Sequence, residues 1–186
     1  MSNLIGCRSD IYRELDSIVG KTSSVIIGTG SISKLPFAEL INFFGLNISV
    51  CDRSMESVSI YDAPAYMDEC VFNLNPDKVF MYFGDECDRP CFDKEAFSEA
   101  YEFLIDTVAA RCDCSIYILS VFSDSAAAND LNRMLSRMAR ENGCEFIDAV
   151  ECISGERSML RLFKKLSHYM RDSRISFGEA MTLANV

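Results

Sequence analysis

Residues 78–84 read KVFMYFG, five consecutive apolar or aromatic side chains between a lysine and a glycine. A strand with one wet face alternates polar and apolar positions. A run that stays apolar has to be covered on both faces, and strands of that kind belong to parallel sheets. Four more runs share this character: 24–28 (SVIIG), 47–52 (NISVCD), 115–121 (SIYILSV) and 144–148 (CEFID). Between the runs, helical spacing recurs over 35–44, 63–74, 94–110 and 124–142, each long enough for a crossover connection. The order is βαβαβαβαβ. With right-handed crossovers this gives an α/β fold, a doubly wound three-layer sandwich on a parallel sheet of about five strands. Its ligand site is expected outside the carboxyl ends of the strands, where strand order reverses, framed by the loops after Gly28, Asp52 and Gly84.

Local punctuation agrees. Asp93 stands where a helix cap is wanted, Asp124 follows Ser123 ahead of an alanine run, and Asn142-Gly143 suits a left-handed helix end. Residues 10–19 read as an additional amphipathic helix before the first strand. Leu131, Met134, Leu135 and Met138 fall at helical spacing and are expected in the core.

The 186 residues suit one domain spanning 1–186, long enough to bury about 70% of the surface of the unfolded chain. No stretch reaches the roughly 20 consecutive apolar residues that cross a bilayer, so no membrane partner is expected. The opening residues lack a basic region followed by an apolar core, which argues against a secretory signal. The nine cysteines are an odd number, and Cys51, Cys144 and Cys152 lie in or beside apolar runs, as reduced thiols do. A cytoplasmic protein is the expectation. The formal charge of −10 works against nucleic acid as a partner. Arg157, Arg161, Lys164 and Lys165 recur at spacings that stripe one helix face, read here as a solvated surface.

Shorter motifs offer competing chemistry. Gly28-Thr29-Gly30 after a strand, with Asp52 ending the next, is the start of a dinucleotide fingerprint, but its third glycine is Ser33 and Pro36 interrupts the following turn. Asp85-Glu86-Cys87-Asp88, with Cys91 and Asp93, offers oxygens to a hard cation, although a polar loop is the simpler reading. Cys112-x-Cys114 lacks the second pair a zinc site needs. No metal and no cofactor is expected.

Several stretches, taken in order, resemble the SGNH (GDSL-type) hydrolases. Residues 26–33 (IIGTGSIS) are similar to that family's strand and Gly-Asp-Ser-Ile turn, and 52–59 (DRSMESVS) to its Asn-x-x-Ile-x-Gly-x-Thr loop. Residues 75–88 (NPDKVFMYFGDECD) have the shape of its Pro-Asp-x-Val strand entering Gly-x-Asn-Asp. Residues 132–148 (NRMLSRMARENGCEFID) match its late helix and fifth strand, and 175–185 (ISFGEAMTLAN) its terminal helix. The resemblance implies a flavodoxin-like sheet and a serine nucleophile. The oxyanion hole would come from that serine's amide, a loop glycine and an asparagine, and an Asp-x-x-His would complete the triad.

Carried over by residue, the nucleophile falls on Ser31 when the Ser-Ile pair is matched and on Gly30 when the strand's final glycine is matched. The loop glycine becomes Ser57, which keeps a usable amide. Gly84 opens the third motif, and the asparagine becomes Glu86, whose carboxylate accepts hydrogen bonds where a donor is needed. Ser176 stands at the histidine position and Asp172 one residue from the aspartate position. The sole histidine, His168, precedes Ser176 by eight residues. Two functions follow from the resemblance: an acyl-ester hydrolase using Ser31 with an unconventional base such as His168, or a silent relative. The latter would bind a small-molecule ester, a sugar-like ligand or a protein.

Overall fold

The computed structural model describes residues 11–12, 14–16, 22–56, 58–152 and 154–171. Five parallel strands, β1 (Ser24–Gly28), β2 (Val50–Asp52), β3 (Lys78–Tyr82), β4 (Ser115–Leu119) and β5 (Glu145–Ile147), lie in the order β2-β1-β3-β4-β5. Each expected strand is present, trimmed where the chain turns away from its neighbours. The helices are α1 (Phe37–Phe43), α2 (Met67–Cys70), α3 (Lys94–Arg111), α4 (Ala126–Glu141) and α5 (Ser158–Met170).

The continuous apolar runs are explained by two separate cores. Val25, Ile27, Val79, Met81 and Ile118 face one side, packed with Phe97, Tyr101 and Leu104 of α3 and Leu131, Leu135 and Met138 of α4. Their strand neighbours Ile26, Phe80, Tyr82, Tyr117 and Leu119 face the other side, against Phe37 and Leu40 of α1 and Phe163 and Leu166 of α5. Alternate residues thus serve opposite layers, and neither face of the sheet is wet.

Side-chain caps set the starts of α3 and α4. Asp93 Oδ1 accepts from the Ala96 amide at 3.0 Å, as its sequence position implies. For α4 the cap is Ser125, whose Oγ accepts from the Ala128 amide at 3.0 Å, so the helix begins one residue later than Asp124 would set it. It ends at Asn142, followed by Gly143 at φ +68. The span 63–74 keeps its helical face, burying Ala63, Tyr66, Met67, Cys70, Val71 and Leu74, but not a continuous α-helix. Two 3₁₀ turns, Ala63–Tyr66 and Phe72–Leu74, flank the single turn of α2, with Pro64 in the opening turn and Asn75 left-handed at the close. Of the expected 10–19 helix, residues 11–12 and 14–16 are helical and the rest lies outside the described residues.

The expected basic stripe on α5 is partly spent on local contacts. Arg161 Nη2 donates to the carbonyls of Cys152 and Ser154, and Lys165 Nζ lies 2.9 Å from Glu151. Among the described residues, every cysteine is a free thiol, no group of side chains is arranged to hold a metal, and no helix is long and apolar enough to cross a membrane.

Strand β1 is gripped tightly at its end. A Cβ on Gly28 would overlap the Tyr82 carbonyl of β3, and that carbonyl accepts from the Thr29 amide at 3.1 Å. Gly28→Ala therefore has to spread β1 from β3, and is expected to lower stability by about 1–3 kcal/mol, read as a lower urea midpoint.

Candidate functional site at the carboxyl ends of β1 and β3

Strand order reverses between β1 and β3: the chain leaves β1 toward β2 and returns past it to β3. The loops after these two strands therefore diverge, leaving an open crevice at their carboxyl ends. Into it project Gly30 and Ser31, in the 3₁₀ turn Gly30–Lys34 after β1, and Gly84, Asp85 and Glu86 after β3. The loop after β2 stays attached, with the Arg53 amide donating to Ile26 O at 2.8 Å and the Met55 amide to Gly28 O at 2.9 Å.

Ser31 and Asp85 are joined. The Ser31 amide donates to Asp85 Oδ2 at 2.6 Å, and Asp85 Oδ1 accepts from the Tyr82 hydroxyl. The Tyr82 oxygen also receives the Phe122 amide at 3.3 Å. Burial first, then the charge and hydrogen bond of Asp85, push the Tyr82 phenol far above its ordinary range, so it stays protonated and donates. Its ring packs on Phe122 at a tilt of 30° with centroids 4.2 Å apart. Gly30 makes this geometry possible: its φ is +55, and a Cβ there would overlap the Asp85 carboxylate. If Ser31 is the nucleophile position, its amide is the donor that would meet a developing oxyanion. In this structure that donor meets a carboxylate of the same chain.

Of the other expected residues, Gly84 begins the loop and its carbonyl accepts from the Cys87 amide at 3.0 Å. Glu86 is half-buried, and its charge acts with that of Asp93 on Tyr61. Asp85, one residue earlier, occupies the place facing the serine. Ser57, Asp172 and Ser176 lie outside the described residues. The oxygens of the Asp85–Asp88 run do not converge on a cation position among the described residues. Asp52 Oδ1 is taken by the Ser54 amide at 2.9 Å and the Ser54 hydroxyl at 2.5 Å, a local turn rather than a ribose contact.

His168 is exposed near the end of α5. Three residues on, the Arg171 carbonyl accepts from Lys78 Nζ at 2.7 Å, and Lys78 is the first residue of β3. Ser31 lies beside the last residue of that strand, about 13 Å further along at a strand's ordinary rise. The histidine and the serine therefore sit at opposite edges of the sheet and are not brought together. Burial, then the charges of Arg171 and Lys164, hold His168 below its ordinary range.

Beside the crevice, Tyr12, Ser33, Lys34, Asp52, Ser54 and Glu56 line a polar cavity of about 370 Å³. Its inner support is Arg53, 5% exposed, with Nη2 at 2.5 Å from Asp16 Oδ1 and its guanidinium 4.2 Å from the centre of the Tyr12 ring. The roles of Tyr82, Asp85 and Arg53 escape a reading of the chain alone. Tyr82 sits in a strand as an ordinary core aromatic, and only Gly30 opposite hints at the approach of Asp85.

No protein-family model and no curated protein matches the sequence. Solved structures do. A Streptococcus pneumonia protein provisionally named a platelet activating factor superposes with TM-score 0.73 at 18% identity, covering 88% of this chain and 91% of that one. Axe2, an acetylxylan esterase from Geobacillus stearothermophilus, gives 0.64 at 12% identity over 86% and 99%. A Bacteroides fragilis protein provisionally named an acylhydrolase gives 0.63 at 13% over 80% and 79%. The five-stranded sheet and its helices are thus the SGNH hydrolase-like fold, shared with esterases and acylhydrolases.

Two outcomes test this geometry. The single imidazole should titrate below the ordinary 6.5 in an NMR pH series, and Ser31→Ala should leave its midpoint unmoved. A shifted midpoint would mean the two groups are coupled. Asp85→Ala strips the partner from the Ser31 amide and the Tyr82 phenol and should cost about 1–3 kcal/mol in chemical denaturation.

Proposed function

We propose that this chain is a relative of the SGNH esterases that no longer hydrolyses esters and uses the crevice to bind a small molecule, ester-bearing or sugar-like. The observation that carries the reading is the 2.6 Å bond from the Ser31 amide to Asp85. Ester hydrolysis puts negative charge on the carbonyl oxygen, and an amide stabilises it only when free to donate. A resident carboxylate both fills the donor and repels the incoming charge.

The base is wanting as well. A serine hydroxyl needs a proton acceptor to attack at neutral pH, and the chain's one histidine is at the far edge of the sheet. The acetylxylan esterases among the structural neighbours make acetylated sugars the first ligands to try. The free thiols support a reducing compartment, the cytoplasm, as the place where the protein works.

One observation favours the other reading, a weak acyl-ester hydrolase using Ser31. The serine is exposed, and the Asp85 carboxylate that holds its amide stands beside it as a proton acceptor. Turnover of p-nitrophenyl acetate by the protein and by Ser31→Ala separates the two. Rates equal within about twofold are expected; a serine-dependent excess of about tenfold or more would establish hydrolysis instead.

A further inference from the structure

Away from the crevice, one face of α4 is a positive feature of this acidic chain. Arg133, Arg137 and Arg140 line a groove of about 450 Å³ together with Asn132, Phe146 and Asp148, between the helix and the last strand. Among the described residues, strand β5 is at the edge of the sheet and pairs with β4 alone, so its outer side presents backbone donors and acceptors without a described strand neighbour.

We propose that this groove docks an extended, acidic segment of a partner protein, added alongside β5 with its carboxylates toward α4. The spacing supports the pairing. Arg133 and Arg137 are four residues apart, about 6 Å along a helix axis, and acidic residues at alternate positions of a strand are about 6.7 Å apart on one face. Phe146, half-buried on the α4 side, gives the segment an apolar floor between the charges.

The arginines are available for it. Arg133 and Arg137 keep exposed local partners, Asp130 and Glu141, and such pairs are weak and leave guanidinium donors unused. The one acid of the groove, Asp148, is turned to its own chain, accepting the Val150 amide at 3.1 Å. At physiological salt, charge acts over about 8 Å, so the patch can attract acid despite the −10 of the whole chain. A long polyanion would instead feel that net repulsion over its length.

The probe is a fluorescein-labelled peptide alternating valine and glutamate, followed by anisotropy against the full chain. Saturable binding that weakens with salt is expected, with a loss of about tenfold or more in Arg133→Glu/Arg137→Glu and a smaller loss in Arg133→Gln/Arg137→Gln. Both variants change exposed positions, and circular dichroism checks that they fold. Arg89→Glu, on the loop before α3, should leave affinity nearly unchanged. An N-methylated peptide, unable to donate to a strand edge, should bind about tenfold more weakly. Absence of binding, equal loss in Arg89→Glu, or equal binding of the N-methylated peptide would each overturn the proposal. So would arginine-dependent binding of pyrophosphate in place of the peptide, which would make the groove a phosphate site.

Discussion

Two-sided burial of the central strands is the constraint on which everything else rests. Val25 and Ile27 face one core, Ile26 the other, and all three are at most 1% exposed. A strand covered on both faces needs helices above and below it, and helices on both sides demand crossovers rather than hairpins. With right-handed crossovers, the chain can place helices on both faces only by reversing direction once, and it does so at β1. The crevice at the carboxyl ends of β1 and β3 follows from the way the sheet is covered, before any residue in it is chosen.

What occupies the crevice is a separate matter. The family resemblance of the sequence implies a serine amide free to donate here, and in this chain it is positioned against a carboxylate. The network of Ser31, Asp85, Tyr82 and the Phe122 amide joins the loops after β1, β3 and β4. Each hydrogen bond that ties these loops together is one not available to a substrate oxygen. In the proposed binding role, that exchange favours a fixed, polar floor over a reactive one. The fold is common to both outcomes, and only the site chemistry separates them.

Charge is distributed to match. Acidic side chains lie at and beside the crevice, Asp85 against the Ser31 amide and Asp52 and Glu56 in the neighbouring polar cavity, while arginines line the groove between α4 and β5. The two surfaces are served by different loops and different helices, so one can change without disturbing the other. Among the described residues, buried charge is found at Arg53 with Asp16, where the Tyr12 ring shares in holding the guanidinium, and at Arg171 after α5.

The sequence by itself determined the layered sheet. Five apolar runs, each too continuous for a half-wet strand, had only the parallel solution, and the capping residues set the starts of α3 and α4 to within a residue or two. Placement of a site after β1 and β3 was legible for the same reason, because topology fixes where loops part. The contents of the site were not. Residues 31, 82 and 85 are separated along the chain, and nothing in their local pattern states that a missing Cβ at Gly30 admits Asp85 to the Ser31 amide. Nor could helical spacing show that α5 ends at the wrong edge for His168 to serve Ser31. Spacing along a chain governs which residues share a face. Which faces and loop ends meet is decided only when the sheet packs, because that depends on distances across strands.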